Sequence, residues 1–170
     1  MGKEITIPTS WADVTLDEFI KLSALDIKNY SDSVNYYIDI LEVFGNTDLD
    51  TIVDMIKVSD INDIINQMSF MNEPPRQLDI KEVSIKGVKF KLTSNMNDLT
   101  VGEYVSIESL IEQGELNSFS SIPVILSVLL RPEEEVFDSN KINSRIELFK
   151  KYLSIEDVLG MSVFFSTGVR

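Results

Sequence analysis

The residues best spaced for chemistry are Asn46, Asp48, Asp50 and Asp54, at the first, third, fifth and ninth positions of a calcium-loop pattern. Oxygen donors at that spacing could wrap a hard cation. The sixth position, however, is Thr51 where the turn needs glycine, and the twelfth is Lys57 where a bidentate glutamate closes the shell. A lysine there opposes the cation, so Asp48 is assigned to helix capping instead. Glu133, Glu134 and Glu135 form the other concentration of carboxylates. With no base beside them they suit a solvated loop better than acid–base work. Tyr30, Tyr36 and Tyr37 offer flat faces for stacking, but they lie among Asp32 and Asp39 without basic neighbours, which favours packing over base recognition.

Cysteine and histidine are both absent. That removes disulfides, thiol nucleophiles, Cys/His zinc sites and the histidine base of the usual serine triad. Glycine-rich phosphate loops, Gly-x-Ser-x-Gly and Ser-x-x-Lys are missing too. The expectation is a protein without catalytic activity, cofactor or metal.

The formal charge of −13 is uneven. Residues 1–73 carry 14 acidic and 4 basic side chains, and residues 74–170 carry 14 and 11. Such a first half repels phosphate backbones, so direct nucleic-acid binding is not expected. It could instead imitate nucleic acid, with Asp32, Asp39 and Glu42, extended by Asp50 and Asp54, as the best stripe. The 44% hydrophobic content supports a globular core. The longest uncharged apolar stretch, Ser118 to Leu130, falls short of the roughly 20 residues of a membrane span, and the polar opening lacks a secretory signal. A soluble protein is expected.

Helices and turns must position these groups. Ile5 and Ile7 before Pro8 suggest a short strand over 3–7. Val34, Tyr37, Ile38, Leu41 and Phe44 recur at helical spacing up to Gly45. Further helices are expected over 49–57 and about 60–70, the latter capped by Ser59 or Asp60, with Ile61, Ile64, Ile65 and Met68 on its buried stripe. Pro74-Pro75 breaks the chain. Residues 80–92 alternate around Lys86-Gly87 as a hairpin, 122–130 form a buried helix, and two more helices start near Ile142 and at Ser154. This divides the chain into an acidic lobe (1–72), a linker (73–77) and a second lobe (78–170), or packs both into one compact domain.

Residues 13–25, DVTLDEFIKLSAL, return 85 positions later as residues 98–110, DLTVGEYVSIESL, with Asp13/Asp98, Thr15/Thr100, Glu18/Glu103 and Leu25/Leu110 identical. Each copy has the Thr-x-x-Glu pattern of a reciprocal helix cap. The fold class expected is therefore α+β and mainly helical, with a degenerate internal duplication of a strand–capped helix–helices unit.

Near the C-terminus, Val163, Phe164 and Phe165 follow Val158 and Leu159 on the closing helix. Two consecutive phenylalanines cannot both point inward from a helix end, so one is expected in an oligomer or partner contact. The chain ends shortly after them, as a truncated, a processed or a frameshift-extended product would.

The segment IPTSWADVTLDEFIKL (residues 7–22) resembles the start of small proteins encoded among the virion-assembly genes of tailed bacteriophages, including crAss-like phages of Bacteroidetes hosts. Leu130-Arg131-Pro132, Arg145 and Phe164-Phe165 are similar in the same setting. The resemblance implies a morphogenetic or virion-structural role: a tail-assembly chaperone, or a connector, ring or packaged component. Its partners would be other virion or assembly proteins, or further copies of itself, in the host cytoplasm during assembly or in the particle. Inhibition of a host DNA-binding or defence protein by nucleic-acid mimicry is the alternative.

Overall fold

Thr15 begins the first helix by the reciprocal bonding its sequence predicts. Glu18 N donates to Thr15 Oγ1 (3.3 Å), while Thr15 N donates to Glu18 Oε2 (2.8 Å). Thr100 and Glu103 repeat this at 3.3 and 2.7 Å. Ser154 and Asp157 make a third such cap, at 3.1 Å in both directions. Shorter side chains suffice there because the serine hydroxyl and the aspartate still span one helical turn.

The computed structural model describes residues 6–31, 33–46, 49–76, 78–93, 95–112 and 119–167. Among these, the helices are α1 (Leu16–Ser23), α2 (Ser33–Gly45), α3 (Leu49–Met55), α4 (Ile61–Gln67), α5 (Val101–Glu112), α6 (Ile122–Leu129), α7 (Ile142–Tyr152) and α8 (Ile155–Thr167). The strands are β1 (Glu82–Ile85), β2 (Val88–Leu92) and β3 (Leu130–Pro132), in an antiparallel sheet of order β1-β2-β3. The fold is thus mainly helical α+β. Most of the strand expected over 3–7 lies outside the described residues, and Ile7 sits in irregular chain.

The hairpin forms where alternation predicts it. Lys86 (φ 50°) and Gly87 (φ 78°) make the two-residue turn whose left-handed pair matches strand twist. Lys86 is strained there in a way glycine is not, and its ammonium lies 4.6 Å from the Tyr152 ring centre, a contact that offsets part of the cost. On the inner face Ile85, Phe90, Leu92 and Leu130 are buried. Phe90 meets Phe149 of α7 edge to face at 5.5 Å.

Two expectations need correction. The buried helix over 122–130 ends at Leu129, and Leu130 opens β3 opposite Leu92. Pro132 disfavours helical backbone at Arg131, and the unpaired edge of β2 supplies the ladder. Asp60 does not cap α4 with its side chain. The preceding 3-10 turn holds it in helical backbone (φ −93°, ψ −11°), where the carboxylate cannot fold back over the first amides. Helix α2 ends at Gly45 as its sequence suggests, and Asn46 (φ 42°) takes the left-handed position after it.

One buried cluster unites α1, α2, α3, the sheet, α6, α7 and α8. The starts of α1 and α8 meet across it. Leu16 N donates to Leu153 O (2.8 Å) and Ile155 N to Val14 O (2.9 Å), an antiparallel bridge centred on Thr15 and Ser154. All four flanking side chains are within 1% of complete burial. The Pro74-Pro75 segment is tied down at both ends. Trp11 Nε1 donates to Glu73 O (2.7 Å), and Arg76 donates to both Glu156 oxygens (3.1 and 2.9 Å). Ile80 then crosses α8 so closely that a Cβ on Gly160 would lie 2.8 Å from it.

Candidate functional site: an acidic apolar groove

Helices α2, α3 and α4 are short, and their apolar faces are broader than the surface they can bury against one another. The result is an open cleft of about 220 Å³. Leu41 of α2 and Ile52 of α3 form its buried floor. Ile61, Ile64 and Ile65 of α4 form one wall and are only half-buried, although their spacing predicts a buried stripe; Met68 is the fully buried member of that set. At the mouth stand Val34, 38% exposed, and Val53, 54% exposed. The volume lies below the roughly 300 Å³ at which pockets for drug-sized ligands begin, so the cleft suits side chains of a partner.

The flanks are acidic. Asp50 and Asp54 lie on α3 beside Val53, while Asp60 and Asp63 lie at the start of α4 beside Ile61 and Ile64, and all four are exposed. Among the described residues none of these four joins an ion pair, and residues 33–67 contain seven carboxylates against Lys57 alone. Asp50 and Asp54 therefore occupy successive turns of a helix, not a calcium loop. Among the described residues no group of three or more acidic side chains could hold a metal ion.

The acidic stripe drawn from the sequence falls differently. Asp39 is half-buried and accepts a 2.5 Å bond from Tyr30 Oη, which pushes the tyrosine up to about 12. Glu42 is half-buried on α2, and Asp32 lies outside the described residues. Val163, Phe164 and Phe165 belong to the last turns of α8, and their side chains lie outside the described residues.

A second cleft, about 280 Å³, is polar and includes Lys91, Thr93, Arg131, Glu133 and Glu135. Most of its charges are matched, Asp98 being the lining carboxylate without an ion pair among the described residues. Lys91 bonds Glu133 at 3.1 Å and holds that carboxyl below its usual range. Arg131 pairs with Glu103, and Glu135 pairs with Arg145 and, at 3.2 Å, with Lys141. Burial, with the neighbouring Arg131 guanidinium, pushes Arg145 down. Carboxylates paired with cations in this way fit a structural clamp between α5, β3 and α7.

Sequence periodicity located the helices lining the apolar groove but missed the groove itself. The one local signal was Ile52-Val53, adjacent apolar residues on a short helix that can bury only one of them. Comparison with protein-family models, with curated proteins and with solved structures returns no match.

Proposed function

We propose that this chain is a non-enzymatic protein-binding factor of tailed-phage particle assembly, acting as a tail-assembly chaperone or as a connector, ring or packaged component. The observation that carries the binding role is the open α2–α4 groove, apolar in its lining, with four exposed carboxylates on α3 and at the start of α4 that join no ion pair among the described residues. The resemblance of residues 7–22 to small virion-assembly proteins supplies the biological setting. The pairing of Glu103, Glu133 and Glu135 with cations supports a role without acid–base chemistry. We assign its place to the host cytoplasm during assembly, the particle, or both.

Mass spectrometry of purified virions, with pull-down from infected cells, tests this reading. Recovery in the particle identifies a structural component. Capture of phage structural proteins with absence from the particle identifies a chaperone. Capture of neither, or carboxylate-dependent turnover of a phosphodiester, glycoside or peptide, overturns it.

The exposed Asp50, Asp54, Asp60 and Asp63 favour one second reading, imitation of a phosphate backbone. Salt-sensitive capture of a basic host nuclease or DNA-binding protein would select it. Val163, Phe164 and Phe165 are proposed as a further contact, for a second copy or a virion protein. Phe164→Ser and Phe165→Ser should shift the sizing-chromatography profile or weaken partner capture while leaving the fold intact.

A further inference from the structure

We propose that the occupant of the α2–α4 groove is a basic amphipathic helix of another protein, with Lys or Arg on its flanks and aliphatic side chains on the face it inserts. This rests on the protein-binding reading above and names the chemistry of the partner. Three helices forming a shallow apolar trough present the geometry into which i, i+3, i+4 and i+7 side chains of a fourth helix fit. Val53, more than half exposed, and half-buried Ile61 and Ile64 are the surface such a helix would cover.

Charge selects the class of helix. Asp50 and Asp54 are exposed on α3, and Asp60 and Asp63 at the start of α4, without a cation paired to any of them among the described residues. Asp54, Asp60 and Asp63 are next in sequence to the lining residues Val53, Ile61 and Ile64. Some carboxylates elsewhere in the molecule are answered by lysine, Asp17 by Lys21, Glu82 by Lys89 and Glu133 by Lys91, while exposed Asp26, Asp98 and Glu134 have no ion pair among the described residues. What sets the groove apart is seven carboxylates against Lys57 alone over residues 33–67. An acidic or neutral helix would leave the groove's carboxylates facing low-dielectric surface unpaired, whereas lysine or arginine on both flanks would pair them and steer the approach. A second copy of this chain is a poor donor. Its most basic helix, α7, buries Arg145 and Phe149 in the core.

The test uses the full chain and a dye-labelled synthetic 18-residue Leu/Lys helix with leucine at i, i+3, i+4 and i+7, read by fluorescence anisotropy. A scrambled peptide of the same composition and a Leu/Glu helix of the same pattern are the controls. The Leu/Lys helix is expected to bind and the controls to bind at least tenfold more weakly. Raising salt from 50 to 500 mM should weaken binding, because exposed charges are screened over a few ångströms there. Val53→Glu, at an exposed position that leaves the core untouched, should cost tenfold or more. Asp50→Asn, Asp54→Asn, Asp60→Asn and Asp63→Asn combined should remove most of the salt dependence. Equal binding of the scrambled peptide, or no loss with Val53→Glu in a chain of unchanged melting temperature, overturns the proposal. So does a dimer in sedimentation that Val53→Glu dissolves, since a second copy would then fill the groove. If Val53→Glu still captures phage proteins from infected cells as wild type does, the assembly role stands and the groove proposal falls. If wild type binds the peptide but captures no phage protein, the reverse holds.

Discussion

Helices α1 and α5 start with the same sequence pattern and the same reciprocal cap, yet they are held to the molecule by opposite sides. In α1 the first helical residue, Leu16, is completely buried, and its backbone N–H is bonded to Leu153 O at the junction of α7 and α8. The equivalent residue of α5, Val101, is 80% exposed. Glutamate reverses the order. Glu18 is half-buried and, among the described residues, bonds within its own cap alone, whereas Glu103 is fully buried and also pairs with Arg131. The outward-facing residues Tyr104 and Val105 continue the contrast with half-buried Phe19 and Ile20. A cap decides where a helix begins and says nothing about which face it buries. That is settled by the partner: the apolar start of α8 for one helix, and a guanidinium on β3 for the other.

The largest difference should appear at the glutamates. Glu103→Ala leaves the Arg131 guanidinium, with a side chain only 17% exposed, without its carboxylate and removes the Thr100 cap, for a loss of about 3–5 kcal/mol in urea unfolding. Glu18→Ala should lose about 1 kcal/mol, the value of a cap alone. If the two losses are equal, the buried pair contributes nothing beyond capping. Replacing both Glu103 and Arg131 by leucine and methionine should recover much of the single-variant loss, because no charge is then stranded.

The apolar flanks should give the opposite ranking, with a smaller spread. Leu16→Ala opens a cavity where α1 meets α8 and should cost about 2–4 kcal/mol, while Val101→Ala should fall within about 0.5 kcal/mol of wild type. A large loss for Val101→Ala would mean that the exposed face of α5 is covered in solution, and sizing chromatography of the same samples would show by what.

This contrast also marks the limit of what the sequence discloses. The Thr-x-x-Glu pattern placed both helix starts, and alternation around Lys86-Gly87 placed the hairpin, because caps and tight turns are local. Which side of α5 faces inward depends on Arg131, 28 residues beyond Glu103, and on β3, a strand that exists only because β2 offers it an edge. The groove was hidden for the same reason. Ile61, Ile64 and Ile65 have the spacing of a core stripe, and nothing within the helix says that α2 and α3 stop short of covering it. Its acidity was visible as the charge excess of residues 1–73, but the stripe assigned to Asp32, Asp39 and Glu42 could not anticipate that Tyr30 engages Asp39.

The smallest effect expected separates the two caps by pH. At the sealed α1–α8 side, Glu156 follows the Ser154 cap, and two bonds from Arg76 hold its carboxyl below the ordinary value of 4.5. A carboxyl whose folded-state value is depressed contributes stability that is fully present above the unfolded value. That contribution is lost as pH falls through the folded one. Between pH 6 and 8 the pair should therefore add no slope to stability. Below about pH 4.5 the wild type should lose stability more steeply than Glu156→Gln, whose amide keeps a weaker bond to Arg76 and does not titrate over this range. Arg76→Ala should flatten the same limb, since the depression originates in its guanidinium, whereas Thr100→Ala at the other cap should shift the whole curve down without changing that slope. Urea midpoints at pH 3.5, 5 and 7 suffice to distinguish them. A wild-type curve parallel to that of Glu156→Gln across all three would mean that Arg76, 71% exposed, is held by solvent more than by Glu156.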